Sequence, residues 1–238
     1  MPWTWWKKKP VRAGATITPK GSSKASSDVN LGDLAPSAAH LLSHLCVVQS
    51  ALAGRLGQLA EEAWSSKDAD DLMLASAAAS DRYRRLRDLV QDYDREVHGA
   101  LATPRESLHR HLERLESSRW YENVTTVYVL GGFTRDFFLA VAAGLPSAAR
   151  EALSSTMADY TEEEWVFQVL SHVVAHNERA LARMSLWSRR LVGDIMLICR
   201  DALAGGESPA QVSITLEPVF EDVIAAHTAR LERLGLAA

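Results

Sequence analysis

Only two cysteines occur in the 238 residues, Cys46 and Cys199, each in an apolar stretch of helical spacing. So few thiols exclude a disulfide-stapled scaffold; they read as reduced core residues, and a cytoplasmic setting is the expectation. No apolar run crosses the width of a bilayer without a charge in it, which argues against a transmembrane helix. The N-terminus has no apolar core followed by a small-residue cleavage site, so no secretory leader is expected. Alternation of apolar and polar residues never lasts beyond a few positions and no β-hairpin signal appears, which argues against a sheet. A Gly-rich phosphate loop, a nucleophile elbow and a Cys-x-x-Cys pair are also missing. What is there, 47% hydrophobic and 24% charged residues, is the composition of a globular protein.

Acid is missing from one end. Residues 1–27 hold Lys7, Lys8, Lys9, Arg12, Lys20 and Lys24 and no Asp or Glu; the segment is +6 and the whole chain −4, so residues 28–238 carry −10. An acidic body speaks against nucleic-acid binding by the body itself. Residues 1–30, with Pro2, Pro10, Pro19 and a Ser-rich run, show no period and are expected to be a disordered basic tail on a helical domain at 31–238. Its WTWWKKK cluster, Trp3 to Lys9, offers two contacts, a membrane surface or stacked nucleic-acid bases. A tail that makes neither, or that docks its tryptophans on the body, is the plainer reading, because one short cluster gives little membrane affinity.

The body reads as helices. From about Ala35 to Trp64, the residues Leu41, Leu45, Val48, Leu52, Leu56, Leu59 and Ala63 recur three and four apart. Ser65 or Ser66 caps a second helix, with Asp68, Asp70 and Asp71 in its first turn, running to about His98. Thr103-Pro104-Arg105-Glu106 predicts the start of a short helix that ends near Ser117. A central helix covers Trp120 to Ala143 and is stopped by Gly144 and Pro146. A bent helix runs from Ser147 to about Ala175. Asn177 caps the next, from Glu178 to about Leu203. After Gly205-Gly206, Ser208-Pro209 starts a last helix or helix pair, interrupted near Pro218 and closing at Gly235. Four long helices with short connections predict an all-α antiparallel bundle.

The central helix organises the rest. It is apolar nearly all round, so it belongs in the middle of the bundle, yet it carries Glu122 and Asp136. A buried acid costs free energy unless it is paired or bound to a metal. Glu-x-x-His, whose spacing sets two metal ligands on one helix face, occurs only at Glu106–His109, on an exposed helix start where it reads as chance. Asp159 and Glu162 share that spacing but continue into Glu163 and Glu164, so a solvated acidic face competes with a metal role. With Glu122 they could hold one cation through oxygen. His172 and His176 lack a third ligand, and His40, His44, His98, His111 and His227 are scattered. Gly131-Gly132 signals close helix packing or a bend.

Several segments resemble one family: Trp120-Tyr121-Glu122; Val127 to Gly132; Arg135-Asp136-Phe137-Phe138; Leu186 to Asp194; and the ending from His227 to Leu236. They look like bacterial ferritin-like proteins grouped with the tRNA 2-methylthio-N6-isopentenyladenosine hydroxylase, and the resemblance covers about residues 33–236. It implies a ferritin-like antiparallel four-helix bundle with additional C-terminal helices, and a carboxylate-bridged di-iron site that activates oxygen. Carried over position by position, the third-helix Glu is Glu122, and the fourth-helix acid-x-x-His is Asp159 and Glu162. The second-helix Glu-x-x-His falls on Ser80 and Tyr83, the first-helix Glu on Gln49, and the Gly-Glu after paired arginines on Gly193-Asp194.

Two irons need about four carboxylates and two imidazoles, and Gln, Ser and Tyr are weak substitutes. The expectation is therefore a degraded di-iron site without cofactor, in a non-catalytic structural or interaction module. Glu122 would then meet Tyr83, Arg84 or Arg85, and Asp136 or Asp194 would meet Arg189 or Arg190. The alternative is a metal-dependent hydroxylase acting on a modified tRNA adenosine, with iron or another divalent cation at Glu122, Asp159 and Glu162. Partners are not indicated beyond the tail's two contacts and a homodimer, which stays open.

Overall fold

The computed structural model describes residues 36–203 and 209–236, with backbone alone for 209–218. The expected tail over residues 1–30 and the Gly205-Gly206 break lie outside the described residues. Eight helices follow in order: α1 Ala38–Glu61, α2 Ser66–Tyr93, α3 Val97–Leu112, α4 Trp120–Val141, α5 Ser147–Met157, α6 Thr161–His176, α7 Glu178–Asp201 and α8 Pro209–Arg233. Among the described residues there is no strand, and the all-α expectation holds.

The helix starts follow local chemistry. The Ser37, Ser65 and Asn177 side chains accept from the backbone N–H of His40, Asp68 and Ala180, satisfying donors that the first turn leaves open. The Ser147–Ala175 helix is two helices. Asp159 breaks it, its Oδ1 accepting from Thr161 N at 2.9 Å in a local turn that competes with helix continuation. The short helix starts at Val97 rather than at Thr103, and Pro104 lies inside it. Pro104 gives up one backbone bond, but it is buried beside His44 and Phe138, so packing outweighs the local start signal. α8 likewise runs through Pro218 without interruption. Its described half is anchored by Val219, Val223, His227, Arg230 and Leu231, all buried.

Pairwise contacts give the topology. Cys46, Gln49 and Ala53 of α1 meet Tyr83, Arg82 and Ser76 of α2 in falling order, so the two are antiparallel. Asp68 meets His172 and Arg82 meets Glu162, setting α2 against α6. Leu59 meets Trp120 and Leu52 meets Gly131, setting α1 against α4. These four helices close an antiparallel bundle. α7 lies along α4 in the same direction, Thr126 receiving the Trp187 indole N–H at 2.9 Å. α8 crosses back over α4 with Phe220 on Phe137 and His227 on Phe133.

Among the described helices, α4 packs against α1, α5, α6, α7 and α8. With the turn after it, Trp120–Gly144 is long and apolar enough to cross a membrane by length and composition, and it is mostly buried in the bundle. Phe133, Phe137 and Phe138 are fully enclosed. Cys46 and Cys199 are free and buried, and burial pushes the Cys46 thiol up to about 12 and the Cys199 thiol well above its ordinary value. Both are inert as nucleophiles at neutral pH.

Candidate functional site

The centre of the bundle is held by an arginine. On α2 the inward stripe is Leu72, Ala75, Ala79, Arg82, Leu86 and Val90. The inward pair is Ala79 and Arg82, one residue before the expected Ser80 and Tyr83, which are half-buried on the flank. Arg82 Nε donates to Gln49 Oε1 at 2.9 Å, Nη1 donates to the Asp159 carbonyl at 3.3 Å, and Nη2 forms an ion pair with Glu162. Both partners of that pair are buried. Burial and the neighbouring Arg135 charge lower the Arg82 pKa to about 10, so it stays protonated at neutral pH.

A second network continues from the first. Arg135 of α4 pairs with Glu163 and stacks 4.0 Å from the Tyr160 ring centroid. Arg230 of α8 donates from Nε to Glu163 Oε1 at 3.1 Å and from Nη2 to Asp136 Oδ2. Burial works against the Arg230 charge, but Asp136 and Glu163 outweigh it and raise its pKa. Arg230 reaches these acids across Gly132, where a Cβ would stand 2.6 Å from its Cζ. The expected close packing at Gly131-Gly132 is thus specific to Gly132. At Gly131 a Cβ would meet Glu162 and Leu52 at 3.6 Å, an ordinary contact.

Of the residues singled out from sequence, Gln49 and Glu162 come together. Asp159 reaches the same point only through its carbonyl, and its side chain is exposed. Glu122 lies elsewhere. It is buried, accepts from Ser117 Oγ, and has Arg119 at 3.6 Å and Arg183 at 4.0 Å. At 1.5 Å per residue, its position on α4 is roughly 13 Å from Gly131, which adjoins Glu162. The proposed partners of these acids need correcting as well. Arg84 and Arg85 pair with Asp81 on their own helix, Arg190 stands over Trp187, and Asp136 meets Arg230.

This donor set does not fit a dinuclear metal centre. The cavity at the bundle centre measures about 20 Å³ and is lined by Glu162 and Glu163 together with Arg82 and Arg135. Two guanidinium groups already face those carboxylates, so an entering cation would meet like charge at short range. Among the described residues, no group of three or more His, Cys, Asp or Glu is placed to hold a metal ion. A wider cleft of about 330 Å³ opens nearby over Leu52, Leu112, Leu115, Val127 and Leu130, with Arg55 and Glu116 paired at 3.4 Å on its rim.

The histidines are spread through the fold. His172 Nδ1 donates to Asp68, which is buried, at 3.0 Å. His176 Nδ1 donates to the His172 carbonyl at 2.8 Å, and His111 bonds Asp201 at 3.0 Å. His227 is 3% exposed and packs edge-on to Phe133. Burial, with the nearby Arg230 charge, lowers its pKa to about 4. The folded chain thus refuses a proton that the unfolded chain accepts below about pH 6.5. Stability should be full above that pH and fall between about 6.5 and 4, by a few kcal/mol at most. His40 and His44 shift the same way through burial. Urea titrations at stepped pH should therefore show a smaller fall for His227→Leu than for the unaltered chain; identical curves would contradict the assignment.

Sequence comparison agrees with this architecture. The sequence model of the ferritin-like domain of actinomycetes matches residues 36–204, which takes in α1 through α7. No curated protein matches the chain. An all-α bundle matched over most of its length by that domain places the chain in the ferritin-like domain family of actinomycetes.

Proposed function

We propose that this ferritin-like domain keeps its bundle centre together with a resident guanidinium instead of a metal, and serves as a non-catalytic structural or interaction module. The observation that carries this reading is Arg82, whose side chain joins α1, α2 and α6 through Gln49, Glu162 and the Asp159 carbonyl. A positive charge fixed at that point satisfies a buried carboxylate without a cofactor. The two free, buried cysteines support a reducing, cytoplasmic setting. The segments Trp120-Tyr121-Glu122 and Arg135-Asp136-Phe137-Phe138 support a relation to the tRNA-hydroxylase group at the level of the scaffold.

The test is elemental analysis after reconstitution with ferrous iron, with thermal melts in the presence and absence of chelator. Substoichiometric iron and an unmoved melting temperature are expected. Tightly bound iron that disappears in Glu122→Ala or Glu162→Ala would overturn the reading. It would favour a metal-dependent hydroxylase using Glu122, Asp159 and Glu162, to be assayed on a modified tRNA adenosine.

A further inference from the structure

Two histidines near the end of α6 differ from the others in what their rings leave bare. His172 and His176 are both exposed among the described residues. Their i, i+4 spacing sets them on one helix face, with ring centroids 4.4 Å apart. His172 Nδ1 lies 3.0 Å from Asp68 Oδ2, and His176 Nδ1 lies 2.8 Å from the His172 carbonyl oxygen. A carboxylate and a carbonyl oxygen accept, so each Nδ1 carries the proton and Nε2 of each neutral ring keeps its lone pair. The described residues make no hydrogen bond to either Nε2. Asp68 is itself fixed, being 1% exposed and taking the Ser65 hydroxyl at 2.8 Å. A buried carboxylate on Nδ1 is the support that orients a metal-binding imidazole and makes its other nitrogen more basic.

We propose that His172 and His176 form a two-imidazole site for a zinc-class divalent cation, bound through Nε2 of both rings. Water completes the coordination sphere, and Asp68 is the positioning residue behind His172. Two nitrogens on one tetrahedral zinc stand about 3.4 Å apart, a spacing within reach of rings whose centroids are 4.4 Å apart. Imidazole suits zinc, copper and nickel, whereas magnesium and calcium take oxygen. The same i, i+4 spacing recurs at His40 and His44. There His44 is buried and His40 Nε2 is enclosed without a partner, so a hydrated ion does not reach that pair. Two protein ligands are fewer than the three or four of established zinc sites, so the ion exchanges with solution. The site lies roughly 15 Å along α6 from Glu162 and does not depend on what the bundle centre holds.

Equilibrium dialysis of the full chain against Zn2+, in buffer free of chelators, tests the assignment. The unaltered chain should bind one saturable equivalent. His172→Ala and His176→Ala should each weaken binding at least tenfold. Asp68→Asn keeps both rings and should weaken it by about 10–100-fold. His98→Ala, which removes an exposed histidine of α3, should change nothing. Circular dichroism checks each variant for its helices. His176 is exposed at the helix end, so its variant keeps the test decisive should Asp68→Asn fail to fold. No saturable binding by the unaltered chain would overturn the proposal. So would a zinc equivalent that survives both histidine substitutions, which is adventitious binding elsewhere. Equal affinity in a folded Asp68→Asn would overturn the positioning role.

Discussion

Arg82→Ala should destabilise the fold by about 3–5 kcal/mol, the cost of leaving a buried charge without its partner. Glu162 would lose its ion pair, Gln49 its donor and the Asp159 carbonyl one of its contacts. The group is buried on both sides of the pair, so the screening that makes surface ion pairs weak does not apply. Converting all three side chains to methionine, at Gln49, Arg82 and Glu162, should recover most of the loss, because an apolar cluster of similar volume leaves nothing unsatisfied. Chemical denaturation of the single and triple variants decides the matter. A loss below about 1 kcal/mol for Arg82→Ala, the range of an exposed pair, would mean that the guanidinium does not carry the centre. The same measurement separates a resident cation from a vacancy awaiting metal. In the second case, removing Arg82 should cost little and should open the site to divalent ions.

Two adjacent glycines should respond in opposite directions. Gly132→Ala puts a methyl 2.6 Å from the Arg230 Cζ and Nε. The guanidinium is the end of a flexible side chain and can move, but moving takes it away from Glu163 and Asp136, which it holds from a buried position. Destabilisation of about 1–3 kcal/mol is expected, the usual cost of overpacking a filled core. Gly131→Ala meets only ordinary contacts and should be neutral or gain up to about 1 kcal/mol from better helix propensity. Equal effects at the two sites in paired thermal melts would argue against the close passage of Arg230.

The helical fold was legible because apolar spacing and capping residues marked most elements, Ser65 and Asn177 among them. The register of α2 was not. The stripe Leu72, Ala75, Ala79, Arg82, Leu86 and Val90 is regular once an arginine is admitted to it. Charged residues are rarely buried, so Arg82 reads as surface, and the small side chains from Ala75 to Ala79 give a weak signal of which face turns inward. With so weak a signal, the family's second-helix position was carried onto Ser80 and Tyr83, one residue and about 100° of helix rotation from the inward Ala79 and Arg82. The burial of Glu122 was legible from the apolar run around it; its partners were not. Arg119 stands one turn before Glu122, at i,i+3 spacing, but Ser117 comes from the loop before the helix and Arg183 from α7, which no sequence period connects to it. Arg230 lies 67 residues from Glu163 and 94 from Asp136, a separation over which only the folded chain reveals the pairing.

α8 is made last. As the polypeptide leaves the ribosome, the four helices of the bundle are complete before Arg230 and Arg233 emerge, and Arg135 alone then faces both Glu163 and Asp136. Without α8, Glu163 and Asp136 face Arg135 and keep surplus negative charge along one seam. α8 acts as a clasp that neutralises this seam through Arg230. A boundary drawn at residue 204, where the family match stops, would therefore part Arg230 from Glu163 and Asp136.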